Sequence, residues 1–234
     1  MRTDIFSPLD LAALALFGVC WLAYPPLQRL TLRGRDGIQS GMTVIRRAWM
    51  RNMAQRDNRF MDGQLLAQAL NSASFFASSN LLLIAAAAGT LFGGESSFRS
   101  ASSLLALKAS SRVLFEAQLG LVIVALARGL LDFIWSIRQM NYCLAAMGAA
   151  PLAPGDPRAE RYGDIVARML NPALSSFNSG VRGYYFSLAA AAWLFGAKAF
   201  IAATLVAFVL LIWRQARSPT AAAIADLRRL LEEP

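Results

Sequence analysis

Uncharged apolar stretches alternate with arginine-rich stretches along the chain, and this alternation predicts membrane-spanning helices. The most apolar segments approach the ~20 residues that a helix needs to cross a hydrocarbon core of ~30 Å. We predict an all-α, multi-span membrane protein with about five transmembrane helices, and we treat residues 1–234 as a single membrane domain. The predicted spans are residues 9–27, 72–92, 104–127, 177–195 and 199–213.

Turn residues set the ends of two of these spans. The first apolar run stops at Pro25 and Pro26, where we expect the helix to break. Acidic residues precede this run, where a signal peptide carries positive charge, so we interpret it as a retained span. The last apolar region, residues 184–213, is longer than one crossing requires. We therefore place a turn at Gly196, which separates the fourth and fifth spans.

Three helices are predicted to continue beyond the bilayer as cytoplasmic extensions, over about 38–70, 128–147 and 157–176. The first extension suits one helix or two nearly continuous ones, because no proline interrupts it. Its amphipathic composition fits a helix lying on anionic lipid or a helix packed against its neighbours. We favour packing, since two other spans also extend.

The distribution of basic residues indicates the direction of the chain. With five spans and an external N-terminus, regions 28–63, 128–182 and 214–234 share one side and contain eighteen arginines. The other side holds only five Lys and Arg residues. Because cytoplasmic loops are enriched in Lys and Arg, we predict an external N-terminus and a cytoplasmic C-terminus.

Composition excludes several classes of function. Hydrophobic residues make up 56% of the chain and charged residues 16%, and the net charge of +9 is interrupted by uncharged stretches, so we expect no nucleic-acid partner. Histidine is absent, Cys20 and Cys143 match no metal-ligand spacing, and no glycine-rich nucleotide motif occurs. We expect no enzymatic activity, cofactor or metal. Asp132 and Asp164 could approach each other from different helices and form a catalytic carboxylate pair, and the sequence leaves this arrangement open.

Two stripes of residues, mostly polar, recur every three or four positions, so each stripe lies on one helical face. Polar side chains in or near a span cost free energy and are candidates for function. Each stripe is either a polar contact between helices or the lining of a water-filled path. A third interpretation is binding of lipid headgroups by Arg168 or Arg182. The first stripe is Gln64, Gln68, Asn71, Phe75 and Ser78, and the second is Asp164, Arg168, Asn171, Ser175, Asn178, Arg182 and Tyr185.

Other charged and aromatic residues have simpler interpretations. Arg112 with Glu116, and Arg128 with Asp132, are four residues apart and can pair along their own helices. Trp49, Trp135, Trp193 and Trp213 fall near predicted span ends, where aromatic residues commonly anchor helices at the membrane interface.

Five segments carry a family resemblance: 46–50, 56–59, 74–79, 133–142 and 177–186, which include the runs RRAWM, RDNR and SFFASS. In this order they resemble the bacterial membrane proteins catalogued as domain of unknown function 599, and the resemblance covers about residues 10–215. Met140 stands where an aromatic residue is expected. The resemblance implies a compact multi-span protein of the bacterial inner (cytoplasmic) membrane, and it implies no activity.

Two functional hypotheses remain. The first is an oligomeric inner-membrane channel, with anion conduction as a further hypothesis, because the arginine-rich side exceeds its acids by eight charges and Arg182 lies where the span begins. The alternative is a non-conducting scaffold or accessory subunit of a larger membrane complex. We expect a homo-oligomer, since a lone five-helix chain leaves polar faces unshielded. The expected partners are the lipid bilayer, further copies of the chain, and anionic headgroups or small anions.

Overall fold

The structure is a computed structural model that describes residues 5–31, 38–105, 111–150 and 155–233. These residues form α-helices joined by short connections, and no strand occurs among them. The all-α prediction is therefore confirmed. In chain order the helices are α1 (Pro8–Thr31), α2 (Ile38–Gln55), α3 (Phe60–Phe92), α4 (Gly94–Leu105), α5 (Arg112–Gly148), α6 (Ala159–Ala191), α7 (Ala197–Arg217) and α8 (Pro219–Glu232).

Four helical stretches in the described part of the chain are long and apolar enough to cross a membrane. They are Pro8–Pro26, Phe60–Phe92, Arg112–Gly148 and Ala197–Glu232. Helix α6, which contains most of the predicted fourth span, is 33 residues long but is not among them. The polar stripe along α6 lowers its hydropathy, and the count of five spans stays a prediction.

The candidate span Pro8–Pro26 agrees with the first predicted span, but the helix break expected at Pro25 and Pro26 is absent. Helix α1 continues through Pro25 and Pro26 to Thr31, because a membrane helix tolerates proline where neighbouring groups hold the backbone. Tyr24, directly before the prolines, is buried and makes an edge-to-face contact with Phe208.

The third predicted span begins at Arg112 rather than near Leu104. Leu104 and Leu105 are instead the last residues of α4. The new start has a local cause, because the hydroxyl Oγ of Ser111 accepts a hydrogen bond from the amide of Leu114 (3.2 Å). Such a cap satisfies one of the amides that a helix start leaves without a partner.

The turn expected at Gly196 is present. Helix α6 ends at Ala191, a 3-10 turn covers Ala192–Phe195, and α7 begins at Ala197. Gly196 has a φ of +105°, which side-chain-bearing residues rarely adopt. This glycine allows the apolar region to form two helices.

The chain forms two compact units, and each unit gathers three stretches. Unit 1 comprises the described residues of Met1–Arg33, Ser79–Leu130 and Val181–Ile212. Unit 2 comprises those of Gly34–Ser78, Leu131–Gly180 and Trp213–Pro234. Helices α3, α5, α6 and α7 contribute residues to both units.

Aromatic side chains form the core of unit 1. The rings of Phe17 and Trp193 each lie 5.2 Å from the ring of Phe200, centroid to centroid. Trp193 is 1% exposed, and Gln118 donates a hydrogen bond to its carbonyl oxygen (3.0 Å). The expectation that Trp193 anchors a span end at the interface is therefore wrong, because the indole fills the core.

Methionine and aromatic side chains form the core of unit 2. Met140, the residue at which an aromatic was expected, is fully buried. Phe76, Phe133 and Phe177 form a cluster with ring centroids 5.7–5.8 Å apart. Gly180 lies against this cluster, and a β-carbon there would come within 2.7 Å of the Phe133 ring. Both cysteines are buried free thiols, as predicted; Cys143 belongs to this core and Cys20 to that of unit 1.

Candidate functional site

A charge cluster joins α2 to α6 in unit 2. Asp164 accepts two hydrogen bonds from Arg47, both 2.7 Å long, and two from Arg51, of 2.6 and 2.8 Å. Arg51 also pairs with Glu160 at 2.7 Å. The hydrogen bonds from Arg47 and Arg51 hold the pKa of Asp164 well below its usual range. A carboxylate held ionised in this way cannot act as a general acid near neutral pH.

A glycine allows the two helices to come this close. A β-carbon at Gly163 would lie 2.5 Å from the Cα of Arg51 and 2.7 Å from the carbonyl oxygen of Met50. These contacts are with backbone atoms, which a rotamer change cannot move. The distance between α2 and α6 therefore depends on glycine at position 163, which has no side chain. The geometry of the charge cluster depends on this distance.

Arginine and asparagine side chains order the connection from α2 to α3. Arg59 donates to the carbonyl oxygens of Met53, Ala54 and Ala150, at 3.0–3.3 Å. The first two carbonyls belong to the last turn of α2, which leaves its terminal carbonyls without helical partners. Asn58 accepts from the amide of Phe60 and caps α3. The first extension is therefore two helices, with Arg59 holding the end of α2.

Helix α2 packs against its neighbours rather than lying alone. Met50 and Met53 are fully buried, and α2 contacts α8. Trp49 donates its indole N–H to Asp62, which is fully buried and also accepts from Arg56 (2.5 Å). The packed interpretation of the first extension is therefore confirmed. Trp49 serves this packing instead of an interface anchor.

An open cleft of about 450 Å³ lies between α2 and α6. It contains three guanidinium groups and one carboxylate. Arg161 and Arg168 are exposed, and neither has an acidic partner within the described part of the chain. The cleft is lined by Thr43, Arg47, Arg161, Asp164, Ile165, Ala167, Arg168 and Asn171.

The second stripe has different surroundings along α6. Within unit 2, Asp164 and Asn171 contact α2, since Asn171 accepts from Arg46 at 3.4 Å. Arg168 lines the cleft. Ser175 and Asn178 are half-buried, as are Asp164 and Asn171.

The last two members of the second stripe lie in unit 1. The guanidinium carbon of Arg182 is 5.7 Å from the ring centroid of Tyr24, a cation–π distance. Tyr185 packs against the aromatic core. For Asp164, Asn171 and Tyr185, the structure therefore provides contacts between helices.

The first stripe is exposed along its whole length. Gln64, Gln68, Asn71 and Ser78 are all exposed, and the described residues provide no hydrogen-bond partner for these four side chains. The buried face of α3 lies elsewhere and includes Leu66 and Ala73. A polar face that the described residues do not cover is suited to water or to another molecule.

One comparison with known proteins identifies a family. A family model described as "Protein of unknown function, DUF599" matches residues 12–220. The chain belongs to the DUF599 family. No match was found among curated proteins or among solved structures. In this DUF599 protein, two of the segments that carried the resemblance, 46–50 and 56–59, provide contacts of α2. Two others, 133–142 and 177–186, contribute to the core of unit 2 through Phe133, Phe177 and Gly180.

Several buried polar contacts were not predicted. Asn80 donates to the carbonyl oxygen of Leu126 in unit 1, and Ser136 donates to that of Ala173 in unit 2. The partner in each case is a backbone carbonyl on another helix, and no side-chain pattern marks such an acceptor. The pairing of Arg112 with Glu116 was predicted and is present, at 2.7 Å.

Proposed function

We propose that this DUF599 protein is a homo-oligomeric channel of the bacterial inner membrane, with an external N-terminus, in which the exposed face of α3 lines the path. The observation that carries the proposal is the set Gln64, Gln68, Asn71 and Ser78. All four are exposed and have no hydrogen-bond partner in the described part of the chain. Ser78 lies within the predicted span 72–92 and Asn71 lies directly before it, where facing hydrocarbon would cost such groups their hydrogen bonds to water without replacement. Gln64 and Gln68 continue the same face into the predicted cytoplasmic extension.

The face is long enough to line the cytoplasmic mouth of a path and its entry into the predicted span. From residue 64 to residue 78 the helix rises about 21 Å, at ~1.5 Å per residue. Amide and hydroxyl groups both donate and accept hydrogen bonds, so a ring of such faces could replace part of the water around a small ion. An oligomer supplies the ring, since one chain contributes only one such face.

Anion preference is the finer part of the proposal. The arginine-rich regions contain eighteen arginines and ten acidic residues, and in the proposed topology all of them lie on the cytoplasmic side. Repeated around a ring, this excess raises the local concentration of anions, although screening over ~8 Å limits the effect to groups near the path. Arg182 is the charge that we assign to the membrane boundary.

The alternative is a non-conducting scaffold or accessory subunit, and one observation favours it. Phe75 lies within the polar face and is 68% exposed, and Leu82, two turns further along the helix, is 72% exposed. Large apolar side chains of this kind are suited to a dry contact between helices. In that case the same face binds a neighbouring chain and leaves no water-filled path.

Ion flux through proteoliposomes distinguishes the two functions. We expect chloride to pass faster than potassium, and we expect Gln68→Leu with Asn71→Leu to reduce flux at least tenfold. The matched control, Asn52→Leu with Gln55→Leu, changes the same residue types at exposed positions of α2 and should leave flux unchanged. Arg182→Gln should lower the chloride preference while native mass spectrometry still shows an oligomer.

Three results would reject the channel: a monomer in native mass spectrometry, no flux from the wild type, or equal flux from the stripe and control variants. An oligomer without flux supports the scaffold. Cation preference in the wild type would reject only the anion hypothesis.

A further inference from the structure

We propose that the cleft between α2 and α6 binds the phosphate group of a phosphomonoester, carried by a lipid headgroup or by a soluble phosphate ester. This site is separate from the proposed conducting face of α3, and its binding requires no conduction. Its volume of about 450 Å³ lies within the usual range of small-molecule sites. That volume accommodates a phosphate together with part of an organic substituent.

The cleft contains more positively charged than negatively charged side chains. Asp164 is its only carboxylate, and both carboxylate oxygens already accept hydrogen bonds from Arg47 and Arg51. Arg161 and Arg168 therefore face the cleft without an acid of their own in the described residues. Two guanidinium groups on one side of a cleft provide the planar donor pairs that phosphate oxygens accept in bidentate fashion.

A fourth arginine, Arg46, lies behind the lining. Nη1 of Arg46 is 3.4 Å from the amide oxygen of Asn171, which lines the cleft. Nε of Arg46 is buried and has no hydrogen-bond partner within the described residues. Burial lowers the pKa of this guanidinium, and no carboxylate among the described residues opposes the effect.

A buried charge without a counterion is unfavourable, and an anion in the cleft would offset that cost. The cleft and its surroundings carry three net positive charges. Four arginines contribute positive charge and Asp164 contributes one negative charge; the arginines are Arg46, Arg47, Arg161 and Arg168. A phosphomonoester carries about −1.5 to −2 charge at neutral pH and three acceptor oxygens, so it matches this excess better than a carboxylate or a halide.

The remaining lining fits the organic part of such a ligand. Ile165 and Ala167 provide apolar surface beside the arginines. The amide nitrogen of Asn171 has no acceptor among the described residues, so it is available as a further donor. The cleft therefore combines charge for the phosphate with an apolar wall for its substituent.

Two probes with the same phosphomonoester group distinguish the two sources of ligand. The first is glycerol 3-phosphate, titrated calorimetrically into the full chain in neutral detergent. The second is phosphatidic acid in phosphatidylcholine nanodiscs, with bound lipid counted by native mass spectrometry. Binding of phosphatidic acid alone identifies a lipid headgroup, whereas binding of glycerol 3-phosphate as well identifies a site open to soluble esters. Either result supports the proposal.

Paired substitutions locate the binding. Arg161→Gln with Arg168→Gln should weaken binding of the bound probe about 10- to 100-fold, the range expected for charge-assisted hydrogen bonds. Both side chains are exposed, so the variant should fold. The control, Arg138→Gln with Arg158→Gln, removes the same charge outside the cleft and should bind like the wild type. The proposal is overturned if neither probe binds, or if both double variants lose binding equally.

Discussion

Trp193 donates its indole N–H to the carboxylate of Asp10, 2.8 Å away, although 183 positions separate the two residues. Asp10 also accepts from the amide of Ser7 (3.0 Å), and Oγ of Ser7 accepts from the amide of Asp10 (3.1 Å). This reciprocal pair is a capping box at the start of α1. One buried carboxylate therefore caps α1 and fixes the indole at the core of unit 1.

Trp193→Phe should reduce the free energy of unfolding by about 1–3 kcal/mol. The change keeps an aromatic ring but removes the donor, and the penalty is that of a buried acceptor left without its partner. Chemical unfolding in detergent measures the difference. Trp213→Phe is the control because Trp213 is 54% exposed, and it should change stability by less than about 0.5 kcal/mol. Equal effects from both variants would show that the bond to Asp10 contributes no stability.

Asp164→Asn should destabilise unit 2 by about 1–2 kcal/mol. The variant loses the ionised acceptor shared by Arg47 and Arg51, and partial exposure of these side chains reduces the loss through solvent screening. We expect the melting temperature to fall by about 4 °C. Asp226→Asn is the control, since both partners of the Asp226–Arg229 pair are 68% exposed. A control shift as large as that of Asp164→Asn would contradict the assigned role of the cluster.

The contribution of Asp164 should depend on pH in a defined direction. Its pKa is lowered in the folded protein from the ordinary value of 3.8. The stabilisation is therefore complete above the unfolded pKa and is lost as pH falls through the folded pKa. Wild type and Asp164→Asn should differ in melting temperature by a constant amount from about pH 8 to about pH 5, with the gap closing below about pH 4. A gap that closes near neutral pH would be inconsistent with the cluster.

Gly163→Ala should separate α2 from α6 and destabilise the protein by about 1–3 kcal/mol, the usual cost of overpacking. The new methyl group would meet the backbone of Arg51 at 2.5 Å. Gly63→Ala is the matched control, because its β-carbon would have no neighbour within 4 Å. Alanine is the better helix former by about 1 kcal/mol, so the control should be neutral or stabilising. Thermal unfolding of both variants gives the comparison, and a stabilising Gly163→Ala would refute the close approach.

Cysteine labelling tests the proposed topology. Ser100 on α4 and Thr220 on α8 are exposed, and each can be replaced by cysteine without removing the cap that Ser218 provides to α8. An impermeant maleimide added outside intact cells should label Ser100→Cys but not Thr220→Cys. The native Cys20 and Cys143 are buried and should remain unlabelled. Equal labelling of both sites would reject the five-span topology.

Periodicity predicted the helical class and both polar stripes, but not the surroundings of each stripe. The α3 and α6 stripes have the same spacing, yet Gln68 is exposed whereas Asp164 is covered by two arginines. The difference arises from α2, which approaches α6 because Gly163 has no side chain. A spacing pattern records which residues share a face and carries no information on what packs against it.

Local contacts explain why two helix boundaries differ from the sequence prediction. Pro25 and Pro26 resemble a helix end in isolation, but Tyr24 is held in the core and the helix continues. Leu104 is as apolar as the span that follows, but it belongs to α4, and the cap at Ser111 marks the start of α5. The cleft was also missed, because Arg47 and Arg161 are distant in sequence and meet only in the folded chain.

The contact of α2 with α8 has a consequence for the order of synthesis. A β-carbon at Gly41 would meet the side chain of Ile224, so α2 is shaped to receive a helix that the ribosome makes 183 residues later. At about 5–20 residues per second, that interval lasts roughly 10–35 seconds. During this time α3 to α7 are made, while the side of α2 that packs against α8 stays uncovered. A chain released before α8 is complete would keep that side of α2 without its partner helix.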